Sequence, residues 1–174
     1  MNKYQKALVN RVIANITDHP KYFTISVYFQ GCDATPKCPN CHNPETWDFD
    51  SSMTVNYEDL YSAIKKNIDL YLAEFPAIAL ALLGGEPLTE INRYIVYRLT
   101  KDIKNKYGNR VIIILYSWRD IEDLKKENLF EFIGFVDEFV LGRYEEELKT
   151  DSFPSSSNQK YITKAELRTL LYTN

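Results

Sequence analysis

"AIALALLGGEP", residues 77–87, is a short continuous apolar run stopped by two glycines, which fits a strand buried on both faces. Before it, "NYEDLYSAIKKNIDLYLAEF" sets Leu60, Ile64, Ile68 and Leu72 at helical spacing, with Asn56 or Thr54 as N-cap. Earlier still, "YFTISVYFQG" alternates apolar and polar residues and is rich in aromatic and β-branched side chains, a strand ending at Gly31. After it, Leu88 to Tyr107 reads as a long helix closed by Gly108. "VIIILYS" (111–117) is another buried strand, "RDIEDLKKENLFEFI" is helical, and "VDEFVLG" (136–142) is a fourth strand. The tail "KTDSFPSSSNQKYI" (149–162) is loop-like, and "TKAELRTLLY" is a short capped terminal helix.

Strands separated by helices of ten or more residues predict right-handed crossovers and a parallel sheet. The length of 174 residues holds four to six such units rather than the eight of a closed barrel. The expected fold is therefore α/β: a partial (open) β/α barrel with a mostly parallel sheet, one domain over residues 1–174. No internal repeat and no long linker divides it.

Parallel β/α sheets gather their sites outside the carboxyl ends of the strands. The cysteine loop (31–47), "GGEP" and "YSW" leave three such ends, so three unusual stretches fall on one rim. That loop holds all three cysteines: Cys32, Cys38 and Cys41. With a net charge of −3, the composition points to neither a nucleic-acid nor a membrane partner. The first twenty residues lack a secretory pattern and no apolar run is long enough to span a membrane. A cytosolic chain is expected, and there clustered cysteines signal metal or catalysis more often than disulfides.

Four readings fit three close thiols. Structural zinc needs a fourth ligand, and the candidates are His42, which directly follows Cys41, and His19, which lies before the first strand. "CPNCH" satisfies the covalent haem pattern but leaves Cys32 idle. Reduced packing cysteines, or a redox pair at Cys38 and Cys41, is the plainest reading. The last is a 4Fe-4S cluster on three thiolates, with one iron open to a small chelating molecule.

"SVYFQGC", "CPNCHNPETW", "LLGGEPL", "LYS" and "SSNQK", taken in order, resemble the radical S-adenosylmethionine superfamily. Within it, the chain is most similar to the small activating enzymes of anaerobic ribonucleotide reductases. The resemblance implies that Cys32, Cys38 and Cys41 ligate a 4Fe-4S cluster whose open iron is chelated by S-adenosylmethionine. Leu83, Gly84, Gly85 and Glu86 would accept from the cofactor's ammonium, the glycines allowing close backbone approach. Tyr116 and Ser117 would meet its ribose or adenine, and the backbone of Asn40 its adenine. His42 and Asn43 would shape the loop; Asn158 and Gln159 are polar tail or a segment over the site. The resemblance further implies reductive cleavage of the cofactor, driven by a flavodoxin-like electron donor. The resulting radical would make a glycyl radical on the large subunit of an anaerobic ribonucleotide reductase. A different glycyl-radical enzyme or a small molecule is the alternative target, and a zinc-stabilised interaction protein the non-enzymatic alternative.

Four features depart from the family pattern. Five residues, not three, separate Cys32 from Cys38. "DHPKYF" stands where a glycine-bearing turn is usual, Trp118 where glycine is common, and Leu141 where aspartate is common.

Overall fold

The computed structural model describes residues 5–172. Its strands are β1 (Lys6–Asn15), β2 (Thr24–Phe29), β3 (Thr54–Asn56), β4 (Ile78–Gly84), β5 (Val111–Ser117), β6 (Glu138–Leu141) and β7 (Lys160–Thr163). Its α-helices are α1 (Tyr57–Tyr71), α2 (Arg93–Tyr107), α3 (Ile121–Lys126) and α4 (Lys164–Tyr172). One sheet runs β3-β1-β2-β4-β5-β6-β7. Its four inner strands, β2, β4, β5 and β6, are parallel, while β1, β3 and β7 are antiparallel to their neighbours. With β3 and β7 as separate edges the sheet is open, which is the expected α/β architecture.

Period-two alternation divides the inner strands between two environments. Ile25, Val27, Phe29, Ile78, Leu80, Leu82, Ile113 and Leu115 pack with Leu60, Ile64 and Ile68 of α1 and Ile95, Leu99 and Ile103 of α2. The opposite face carries Tyr28, Ala81, Leu83, Ile114 and Val140, with Tyr116, Phe153 and Tyr161 against them. Among the described residues, no helix contributes a side chain to this second cluster. Phe153 meets it from the segment between β6 and β7, its ring edge-on to Tyr116 and Tyr161.

Five elements differ from the sequence expectation: β3 (Thr54–Asn56) is a strand where only a helix cap was expected, the helix expected over 119–133 is the short α3 followed by a 3-10 turn (Leu129–Phe132), and β1, β7 and α2 also depart. β1 precedes the strand expected to be first; its apolar spacing is irregular because the pairing shifts between Val9 and Arg11. Ala7 and Val9 face the core before the bulge and Val12 after it, so the period-two signal breaks there. β7 takes the last three residues of the expected loop and the first of the expected terminal helix: it is a four-residue edge strand, none of it fully buried, that pairs antiparallel with β6. α2 starts at Arg93, not Leu88, because the preceding turn is occupied otherwise. Asn92, fully buried, accepts from the Leu8 amide at 2.9 Å and donates to the Gln30 carbonyl at 3.1 Å, tying β1 and β2 to this turn. The helix then closes at Gly108, whose φ of 54° suits glycine, as expected. The terminal helix is capped: the Glu166 carboxylate accepts from the Thr163 amide and hydroxyl, both at 2.7 Å.

His19, the remote zinc candidate, is buried in a structural role. Its Nδ1 accepts from the Lys21 and Tyr22 amides (3.0 and 3.3 Å), so Nε2 carries the proton and donates to Glu138 Oε2 at 2.9 Å. Burial lowers its pKa from the ordinary 6.5, against the opposing pull of Glu138. A second proton on Nδ1 would also point at two amide donors. Because the folded value is depressed, this contribution to stability is complete above pH 6.5 and is lost as pH falls through the folded value. Denaturation of the wild type should therefore show stability falling below pH 6.5, by up to about 1.4 kcal/mol per pH unit from this group. A His19→Gln variant should start less stable above that pH and follow a flatter profile below it. An unchanged slope in the variant would show that His19 does not titrate this way.

Among the described residues no helix is long and apolar enough to cross a membrane.

Candidate metal centre

The cysteine loop leaves β2 and doubles back beside it. Gly31 donates to the Thr46 carbonyl (2.8 Å), Cys32 to Trp47 (3.0 Å), and the Gln30 side chain to Asp48 (2.8 Å). The end of β4 packs onto this double strand, with Gly85 donating to Phe29 O (2.9 Å) and Glu86 to Gly31 O (2.8 Å). A Cβ on Gly85 would lie 2.4 Å from Gly31 O and 2.6 Å from Thr46 O; one on Gly84, where φ is +107°, would lie 2.7 Å from the Phe29 backbone. The two glycines are thus required first by the packing of β4 on the cysteine loop.

Further along, "CPNC" forms a tight turn closed by Cys41 N–H on Cys38 O at 3.3 Å. Asn40 sits in it at φ 53°, a left-handed conformation that asparagine tolerates. The amide of Asn43 points at Cys41 Sγ from 3.5 Å. The ring of His42 packs on Tyr144, 4.4 Å between centroids.

The three free cysteines line one cleft of about 260 Å³ together with Gly84, Gly85, Tyr116, Ser117 and Trp118. Cys32 is buried, and Cys38 and Cys41 are half-buried. Burial pushes the Cys32 thiol up to about 11, so a thiolate there calls for a cation beside it. Among the described residues no group of three or more His, Cys, Asp or Glu side chains is arranged to hold a single metal ion. A cubane cluster makes a different demand, one thiolate at each of three corners, and three separate thiols lining one cleft fit it.

Of the ten residues expected to meet cluster or cofactor, eight share this cleft: the three cysteines, Leu83, Gly84, Gly85, Tyr116 and Ser117. Two do not. Asn40 is exposed and off the cleft, and its conformation serves the turn. Glu86 is fully buried and not part of the cleft wall, and its carboxylate is engaged by protein donors. It accepts from the Leu88 amide (2.9 Å), the Ser117 hydroxyl (2.9 and 3.0 Å) and the Trp118 amide (3.1 Å), and lies 3.5 Å from Arg119 Nη1. Burial pushes this carboxyl up to about 7, with Arg119 pulling against it. Glu86 therefore locks the end of β4 to the end of β5, and it spends the Ser117 proton in doing so.

Gln159 lines the cleft and donates to Gly142 O at 3.1 Å, whereas Asn158 is bonded to Arg143 O and Glu145 away from it. Asp18 and Tyr28, not singled out from the sequence, are also in the cleft wall. Asp18 Oδ2 accepts from Asn15 (2.9 Å), Ser26 (2.7 Å) and Tyr28 (2.7 Å), and its carbonyl accepts from the Tyr116 hydroxyl at 2.7 Å. The signal for this cluster was present in β2: Thr24, Ser26 and Tyr28 are polar-capable residues at period two, alternating with Ile25, Val27 and Phe29. Nothing local pointed to Asp18, 98 residues from Tyr116.

The model of a protein family described as a 4Fe-4S single cluster domain matches residues 23–162. That span runs from just before β2 through most of β7 and includes every cysteine. No curated protein matches the chain.

Proposed function

We propose, for a chain that belongs to the family of 4Fe-4S single cluster domains, that it is a radical S-adenosylmethionine enzyme which installs a glycyl radical on an anaerobic ribonucleotide reductase. Cys32, Cys38 and Cys41 would hold the cluster and leave one iron for the cofactor's amino and carboxylate groups. The observation that carries this reading is the meeting of three thiols with the ends of β4 and β5 in one cleft. Once reduced by a flavodoxin-like donor, the cluster supplies one electron for breaking the C5′–S bond of S-adenosylmethionine.

The chain's own part is to bind, orient and exclude water. Gly84 and Gly85 face the cleft with bare backbone, the natural acceptors for an ammonium now that Glu86 is engaged elsewhere. Tyr116 offers its ring and not its hydroxyl, which is spent on Asp18. Tyr28, Leu83 and Val140 give the cleft an apolar floor that keeps water from a reactive carbon.

The test is electron paramagnetic resonance on anaerobically reconstituted, dithionite-reduced protein, followed by assay for 5′-deoxyadenosine. A reduced-cluster signal whose shape changes on adding S-adenosylmethionine, with cofactor cleavage, is expected. Added reductase should then show a glycyl-radical signal; cleavage without transfer would move the target to another glycyl-radical enzyme or a small molecule. Protein that keeps one tightly held zinc and leaves the cofactor intact would overturn the proposal.

A further inference from the structure

Arg119, the residue after "YSW", is an interior cation, its side chain only 4% exposed. Its guanidinium forks onto Asp33, Nη1 to Oδ1 at 3.1 Å and Nη2 to Oδ2 at 2.7 Å. Its Nε donates to Glu127 Oε2 at 3.0 Å, and Glu86 closes the remaining side. Asp33 receives a third bond, from the indole Nε1 of Trp118 at 2.9 Å. Three donors from the end of β5 thus meet on the residue that follows Cys32.

Asp33 opens the five-residue stretch between Cys32 and Cys38, the longer-than-usual gap. The rest of that stretch is tethered too: Ala34 is buried, Arg143 donates to Pro36 O, and Lys37 donates back to Cys32 O. Two departures from the family pattern, the wide gap and Trp118, therefore meet in a single hydrogen bond 85 residues apart in sequence.

We infer that Asp33 is a positioning residue: held by Arg119 and Trp118, it fixes where Cys32 presents its sulfur and so compensates for the slack of the widened loop. A planar two-bond fork restrains direction as well as distance, which a single surface ion pair does not. Because Asp33 adjoins Cys32 in the chain, that restraint passes to the cysteine backbone. This inference rests on the reading of the three cysteines as cluster ligands.

The test compares Asp33→Ala, Asp33→Asn and Glu127→Gln with wild type, all as reconstituted full-length chains. Iron release to an iron(II) chelator, the reduced-state resonance spectrum with and without S-adenosylmethionine, and circular dichroism are the readouts. Glu127→Gln removes a different carboxylate from the same guanidinium without touching the cysteine loop. Both Asp33 variants should fold, release iron about tenfold faster or more, and show an altered spectrum, as outer-sphere substitutions commonly do. Glu127→Gln should match wild type within about twofold, being outside that sphere. Wild-type release from the Asp33 variants would overturn the inference. So would a Glu127→Gln defect as large as theirs, since the loss would then follow the buried cation. Asp33 variants that fail to fold while Glu127→Gln folds would make Asp33 structural and overturn it as well. A wild-type chain that takes up no iron–sulfur cluster would instead sink the reading of the cysteines, and is told apart by that control.

Discussion

Cys32→Ala is expected to give a folded but colourless protein that holds no iron–sulfur cluster and cleaves no S-adenosylmethionine above background. The loss should exceed the roughly 10–100-fold seen when only an outer-sphere partner of a metal ligand is removed. The informative substitution is Cys32, because Cys38 and Cys41 share one tight turn and would still form a redox pair without it. Cys32 comes instead from the end of β2, where its amide is held by Trp47. Only a centre that uses three thiols depends on both sites. Iron and sulfide per chain, measured beside the wild type after identical anaerobic reconstitution, provide the check. A variant that retains a full cluster would remove Cys32 from the ligand set and return the chain to a two-cysteine reading. Circular dichroism should stay unchanged, since deleting one sulfur from a site beside a cleft leaves little unfilled volume.

Gly85→Ala should have the largest effect on stability. The added methyl would meet Gly31 O at 2.4 Å and Thr46 O at 2.6 Å, and both obstacles are backbone atoms fixed by their own hydrogen bonds. No rotamer relieves such a clash, so the end of β4 must separate from the cysteine loop. A loss of about 3 kcal/mol or more is expected, at the upper end for overpacking. Urea titration of the cluster-free protein checks it without involving the metal. Gly134→Ala is the matched control: a Cβ there meets nothing within 4 Å, and its effect should stay within about 1 kcal/mol. If both variants unfold at the same urea concentration, the packing of β4 on the loop is looser than these distances require. Any cluster defect in Gly85→Ala would then follow from displacement of the loop that carries Cys32.

What could be read from the sequence was whatever depends on neighbours in the chain. The apolar runs 78–84 and 111–117 specified buried strands because both faces of each demanded cover, and helices of ten or more residues between them left only parallel pairing. The three cysteines and the bare Gly84–Gly85 pair stood out in the same way. Their shared location followed from the rule that parallel strands collect a site at their carboxyl ends.

The tertiary structure decided what depends on distant partners. β1 escaped notice because the bulge between Val9 and Arg11 broke its alternation, and β7 because an edge strand of four residues needs no apolar pattern. Glu86 looked like a ligand-facing carboxylate from its place after two glycines; donors from residues 88, 117 and 118 and the charge of Arg119 turned it inward. Asn40 takes the left-handed conformation of the turn between Cys38 and Cys41, a backbone shape its neighbours in sequence do not announce. Asp33 and Arg119 were invisible as a pair, being 86 positions apart with no motif around either. Periodicity and spacing record only the demand for burial and for local backbone shape. Which buried charge meets which, and so which carboxylate is left free for a ligand, is settled only when strand ends from remote parts of the chain arrive at one rim.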